Sequence, residues 1–191
     1  MRNWSKMRSL TLFFEEGLGQ DYLPQDMQGM KDLETFSLYT CDVEQLPGWV
    51  TQFRKLSYLY LQQCNQLKEL PAELPCLRTL WIHRCSKLEA LELGMGFPKL
   101  QELSLWDLES LECVGPVGAA SGSGGLGPLP PMLKSLGVYF CPKLKRLRGG
   151  WDKLKCLEEI KGNREWWDAI EWDDPTMKTS LDGKFKSSRY G

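Results

Sequence analysis

The chain has 191 residues with 24 basic and 25 acidic side chains, a formal net charge of −1, and 42% hydrophobic against 26% charged residues. That is the balance of a core-forming chain, and it supplies no overall positive field for phosphates, so nucleic acid is not the expected partner. No run approaches the ~18 apolar residues of a membrane-spanning helix, and the opening MRNWSKMRSLTLFF meets polar and charged residues before any leader-like apolar stretch.

Read in chain order, one pattern returns five times in register: L-x-x-L-x-L-x-x-C/L. Its copies are Leu33-Glu-Thr-Phe36-Ser-Leu38-Tyr-Thr-Cys41, Leu56-Ser-Tyr-Leu59-Tyr-Leu61-Gln-Gln-Cys64, Leu77-Arg-Thr-Leu80-Trp-Ile82-His-Arg-Cys85, Leu100-Gln-Glu-Leu103-Ser-Leu105-Trp-Asp-Leu108 and Leu133-Lys-Ser-Leu136-Gly-Val138-Tyr-Phe-Cys141. A copy at Met7, Leu10 and Leu12 lacks the cysteine, and one at Leu157 and Ile160 is degraded. The spacing between second apolar positions runs from 21 (Leu59 to Leu80) to 26 (Leu10 to Phe36), with one step of 33 from Leu103 to Leu136. Spacings of about 20–29 residues belong to leucine-rich repeats. The expected fold class is therefore α/β, a leucine-rich-repeat solenoid of six to seven coils over residues 1–162. It carries a curved parallel sheet and a mostly irregular convex side.

Within each coil the apolar pair at i and i+2 lies on one face of a short strand, so Leu59 and Leu61 turn inward while Tyr60 turns outward. A second apolar pair should turn each coil: Val43 and Leu46, Leu67 and Leu70, Leu88 and Leu91, Leu111 and Val114, Leu144 and Leu147. The step of 33 is explained by GPVGAASGSGGLGPLPP, residues 115–131, whose glycine, serine and proline predict an inserted loop with no periodic apolar residue. Residues 163–174 read as a tryptophan-rich cap, with Asn163 as N-cap and Trp166 and Ile170 four apart. Residues 175–191 are polar and aperiodic, which predicts a loose tail.

The quoted motifs carry a family resemblance. CNQLKELPAELPCLRTLWIHRCSKLEAL, YFCPKLKRLRGGWDKLKCLEEIKG and the ending NREWWDAIEWDD resemble the C-terminal leucine-rich-repeat region of plant intracellular immune receptors of the nucleotide-binding, coiled-coil class. The resemblance implies a repeat domain that holds a receptor inactive and helps detect a pathogen effector or the host protein it modifies. It implies as partners an effector, a guarded host protein or other receptor domains. The phosphate loop of the whole receptor, G-x-x-x-x-G-K-[ST], is missing from this sequence, so no ATP switch is expected in it. A cut-out domain, a truncated product and a repeat-only relative all fit that pattern.

Seven cysteines cannot all pair with one another, and a reducing, cytoplasmic setting fits an odd number. Cys41, Cys64, Cys85 and Cys141 fall in one column of successive coils and lack the close C-x₂-C pairs of a zinc site, so they read as a structural ladder and no metal or cofactor is expected. His83, the single histidine, faces out of the strand while Cys85 turns in, which separates thiol from base and predicts no enzyme. The informative residues are aromatics in outward positions. Tyr39, Tyr58, Tyr60, Trp81, Trp106, Tyr139 and Phe140, with His83 and Arg84 as a polar edge, form the expected protein-binding concave face, since tyrosine, tryptophan and arginine dominate interface hot spots. Cross-strand ring packing is the competing structural role for the same residues. A repeat-only adaptor that recruits a protein substrate, such as a ubiquitin-ligase arm, would use the same face.

Overall fold

The computed structural model describes residues 4–15, 23, 27, 29–116, 128–172 and 174–188. The strands of the repeats are β1 (Ser9–Phe13), β2 (Thr35–Tyr39), β3 (Tyr58–Gln62), β4 (Thr79–His83), β6 (Glu102–Trp106), β8 (Ser135–Tyr139) and β10 (Glu159–Gly162); between them lie β5 (Ala90–Glu92), β7 (Cys113–Gly115) and β9 (Arg146–Leu147). The chain closes with α1 (Arg164–Asp168), α2 (Pro175–Asp182) and β11 (Phe185–Ser187). Among the described residues the repeat strands and β11 form one eight-stranded sheet in the order β1-β2-β3-β4-β6-β8-β10-β11, and every pairing is parallel.

The register is the one the repeat dictates. Leu59 sits opposite Leu80, Leu80 opposite Leu103, and Leu103 opposite Leu136. The extra residues between the last two therefore leave the ladder unbroken. Phe36, Leu59, Leu80 and Leu136 are completely buried, as are Leu38, Leu61, Ile82 and Leu105. The first apolar position of each motif, Leu33, Leu56, Leu77, Leu100 and Leu133, closes the core from the strand entrance. Both members of the second apolar pair are buried in four coils, and Leu70 is half-buried in the remaining one. In the later coils that pair is carried by a second, three-stranded parallel sheet, β5-β7-β9, in which Leu91 faces Val114 and Val114 faces Leu147. The return of two coils is a 3-10 turn, Gly48–Gln52 and Trp151–Lys153, and each buries a tryptophan, Trp49 or Trp151.

The inserted loop is narrower than residues 115–131. Its centre, 117–127, lies outside the described residues, but Gly115 belongs to β7, and Pro116, Leu129 and Pro130 are buried. Gly115 is fixed there by its backbone: φ is 137°, and a Cβ would stand 2.2 Å from the Arg148 carbonyl oxygen. Only glycine meets both conditions.

The C-terminal residues differ from the expected loose tail. Asn163 caps α1 by accepting from the Trp166 backbone N–H at 2.6 Å, as expected, and Trp166, Trp167 and Ile170 are buried. The chain then builds two further elements. Asp174 caps α2 by accepting from the Thr176 N–H at 2.8 Å, Pro175 occupies the first turn, and Met177 and Leu181, four apart, are buried. β11 then adds to the edge of β10, with Phe185 opposite Ile160 and its ring stacked on Trp167 at 4.6 Å. Glu159 ties the new edge down through Lys186 at 2.8 Å, Lys161 at 2.5 Å and the Ser135 hydroxyl at 3.1 Å. The physical reason is the open end of the solenoid. Residues 163–172 alone would leave the outer edge of β10, the one away from β8, without a partner strand, and an unpaired strand edge beside exposed apolar side chains is costly.

Leu181→Ala is expected to lower stability by about 2–5 kcal/mol, the same range as Leu80→Ala in the sheet. Equilibrium denaturation of both variants measures it, and a Leu181 effect below half the Leu80 effect would return 175–188 to the status of a tail. Acid titration gives a second check. The two lysines hold the Glu159 carboxyl down at about 2, from an ordinary value near 4.5. A depressed folded pKa contributes stability that is complete above the unfolded value and is lost as pH falls through the folded one. Glu159→Gln should therefore flatten the loss of melting temperature between about pH 4.5 and pH 2. An unchanged acid limb would contradict the ion-pair account.

Candidate recognition face

Five of the seven repeat strands, β2, β3, β4, β6 and β8, end the same way. The residue after each, Thr40, Gln63, Arg84, Asp107 or Phe140, takes φ of 54–55°. In four of these coils the turned N–H donates to a carbonyl of the next coil: Thr40 to Gln62, Gln63 to His83, Arg84 to Trp106 and Asp107 to Tyr139, at 2.8–3.0 Å. The left-handed turn throws the following side chain back inward, which is why Cys41, Cys64, Cys85, Leu108 and Cys141 are buried in one column. The thiols donate to strand carbonyls, Cys64 to Gln62 and Cys85 to His83 at 3.7 Å, Cys141 to Tyr139 at 3.3 Å. Burial pushes the Cys41 thiol up to about 12 and that of Cys141 to about 11. Cys64 is raised as well, first by its hydrogen bond with the neighbouring Cys85 thiol and then by burial. A thiol raised in this way is a poor nucleophile and a poor metal ligand. Among the described residues no group of three or more His, Cys, Asp or Glu side chains is arranged to hold a metal ion.

The outward side chains form three columns across the sheet, and the structure sorts the expected site residues into two groups. In the first group, Tyr39, Tyr58 and Tyr60 are half-buried and Trp81 is exposed, with 41% of its surface accessible. The Trp81 ring stands 6.1 Å from Tyr58 and 6.2 Å from Tyr60, tilted against the first and edge-on to the second. Tyr39 continues the cluster, edge-on to Tyr60 at 5.2 Å and stacked on Phe13 at 4.4 Å. Phe13, which is 72% exposed, was not among the expected site residues. It occupies the Tyr39 register position in β1, so the front copy of the repeat was the signal for it.

The second group lies flat on the sheet. Trp106 and Tyr139 stack at 4.0 Å, and the Trp106 indole N–H donates to the Ser104 hydroxyl at 2.8 Å. Tyr139 was expected to be exposed and is buried. The reason is Gly137: a Cβ there would stand 2.9 Å from the Tyr139 ring, so the absent side chain is the space the ring fills. Ser37 and Gly137, also expected outward, are buried, Gly137 beneath the Tyr139 ring. Phe140 is 51% exposed in its left-handed position beyond the strand. Arg84 is exposed and bound to Asp107 at 2.8 Å. His83 is half-buried, and burial, then the Arg84 charge, lower its pKa.

A family model described as "R13L1/DRL21 LRRs" matches residues 1–85, the segment that ends with the Cys85 ladder position. Among solved structures, the leucine-rich repeat domain of the type III effector XCV3220 (XopL) is similar at a TM-score of 0.51 and 25% identity, over 82% of this chain and 60% of that one. The chain thus spans less than two thirds of the length of that structure. No curated protein matches the chain. With the sheet register, these matches make the fold a leucine-rich-repeat solenoid. No helix among the described residues is long and apolar enough to cross a membrane.

The ladder has a direct chemical readout. A thiol reagent at pH 8 should modify Cys76 and Cys156, both half-buried, in the native chain, and reach Cys41, Cys64, Cys85, Cys113 and Cys141 only on unfolding. Mass spectrometry of partially labelled protein separates the two sets. Labelling of Cys64 or Cys85 at the rate of Cys76 would contradict a closed ladder.

Proposed function

We propose that this chain is the protein-recognition module of a plant intracellular immune receptor, working in the cytoplasm. In this reading it senses a pathogen effector or a guarded host protein and helps hold the receptor inactive. The observation that carries the recognition role is Trp81: a tryptophan standing out of the sheet in a frame of three tyrosines, on a surface that the fold leaves open. Exposed aromatics of this kind bury large area on binding at little entropic cost, and they are the residues most often found at hot spots. The receptor context is supported by the repeat model over residues 1–85 and by the ladder-and-return motifs of the sequence. The seven unpaired cysteines support the reducing compartment.

The two groups of aromatics have different expected contributions. Trp81→Ala should weaken binding of a protein partner by about 2 kcal/mol or more and leave the melting temperature nearly unchanged. Trp106→Ala and Tyr139→Ala should lower the melting temperature, since each removes one half of a stacked pair lying on the sheet. Calorimetric affinity and thermal denaturation of the three variants measure both effects. Unchanged affinity in Trp81→Ala would remove the recognition face from this part of the sheet.

A further inference from the structure

Beside Trp81 the register sets a small residue between two larger ones, a shallow notch in the outward face. In the first column, Tyr58 of β3, Thr79 of β4 and Glu102 of β6 are consecutive register partners. The small Thr79 side chain forms the floor between a phenol ring and a carboxylate, and Trp81, two residues along β4, forms the third side. Two strand spacings, about 9.6 Å, separate the backbones of Tyr58 and Glu102 from which the walls rise. A flat group in van der Waals contact on both sides needs about 7–8 Å.

The charges single out this notch. Glu159, the other carboxylate of the first column, is consumed by Lys161, Lys186 and Ser135. The Glu102 carboxylate is exposed and makes no side-chain hydrogen bond or ion pair among the described residues; the Lys161 ammonium, held by Glu159, acts on it only through its charge. Its field reaches the notch wall: burial first, then Tyr39 and Glu102, raise the Tyr58 phenol. Arg78, the residue before Thr79, is the nearest cation in sequence, and it too is exposed, without a ring contact or ion pair among the described residues. The notch therefore combines aromatic faces, which attract cations through their quadrupoles, with a carboxylate to which no cation among the described residues is directly paired.

We propose that this notch takes an arginine side chain presented by the protein partner, its guanidinium lying between Tyr58 and Glu102 against the Trp81 ring. The proposal deepens the recognition role argued above and rests on it. A guanidinium is planar, stacks on aromatic faces and meets a carboxylate through two parallel N–H donors, whereas an ammonium is a compact, strongly hydrated point charge. The exposed carboxylate disfavours a phosphate backbone, so the occupant is a protein segment rather than a nucleic acid.

The test uses the full chain and a short, otherwise uncharged blocked peptide with one central arginine, alongside its citrulline and lysine counterparts. The indole N–H resonance of Trp81, assigned with Trp81→Phe, reports binding. The arginine peptide should shift that resonance saturably, with the citrulline peptide at least about fivefold weaker. Glu102→Gln should weaken the arginine peptide by a similar factor without changing the melting temperature. Equal binding of arginine and citrulline peptides, or of arginine and lysine peptides, overturns the guanidinium site, as does an indifferent Glu102→Gln. A silent arginine peptide with a partner still sensitive to Trp81→Ala sinks this proposal alone. A partner indifferent to Trp81→Ala, with the peptide still bound, sinks the recognition role alone.

Discussion

The structure depends on how each strand is allowed to end. A parallel strand leaves its last N–H pointing along the solenoid, and burying that donor without a partner would cost about as much as a lost hydrogen bond in every coil. The left-handed residue after the strand resolves this by handing its N–H to the next coil, as Thr40, Gln63, Arg84 and Asp107 do. None of the five residues in that column is glycine, and a non-glycine residue at positive φ is disfavoured by about 1–2 kcal/mol. The conformation persists because the cross-coil hydrogen bond and the inward cysteine or leucine that follows both require it. Turn, ladder and leucine columns are thus one constraint, repeated.

That constraint explains what could be read from the sequence. Leu59, Leu80 and Leu103 pair across the sheet because a coil slipped by one residue would send its leucines outward and its tyrosine or tryptophan into the core. The cysteine column was legible for the same reason, since its position is set by the turn before it. Asn163 was legible as a local rule, an acceptor side chain three residues ahead of the N–H it caps.

What the sequence concealed has no repeat period. The final helix announces itself only through Asp174 before Pro175 and through Met177 and Leu181 one turn apart, a pattern short enough to be lost among polar residues. β11 has three residues, and pairs because β10 presents a free edge, which is a property of the assembled sheet. Leu129 is buried within a Gly- and Pro-rich stretch for a similar reason: its side chain packs beside Gly149, twenty residues further along the chain. Trp49 and Trp151 follow glycine in the return segments and look alike in sequence, yet what buries them is the space behind the sheet, which strand periodicity does not describe.

The same distinction governs the open face. All its aromatics but Phe140 occupy outward register positions, and outward position alone cannot tell a free ring from a braced one. From β3 to β8 the residue at the middle of the strand decides. Where it is small, as Ser104 and Gly137 are, the ring two places later lies down across it, and Trp106 and Tyr139 become a second layer of packing. Where it is large, as Tyr60 and Trp81 are, the ring itself stands up from the sheet, Trp81 about 6 Å from Tyr58 and Tyr60 and 41% exposed. From β3 to β8, one sheet built from one repeat thus acquires an open part and a braced part from the identity of a single column. The open part ends where Thr79 interrupts the ring-bearing positions beside Glu102.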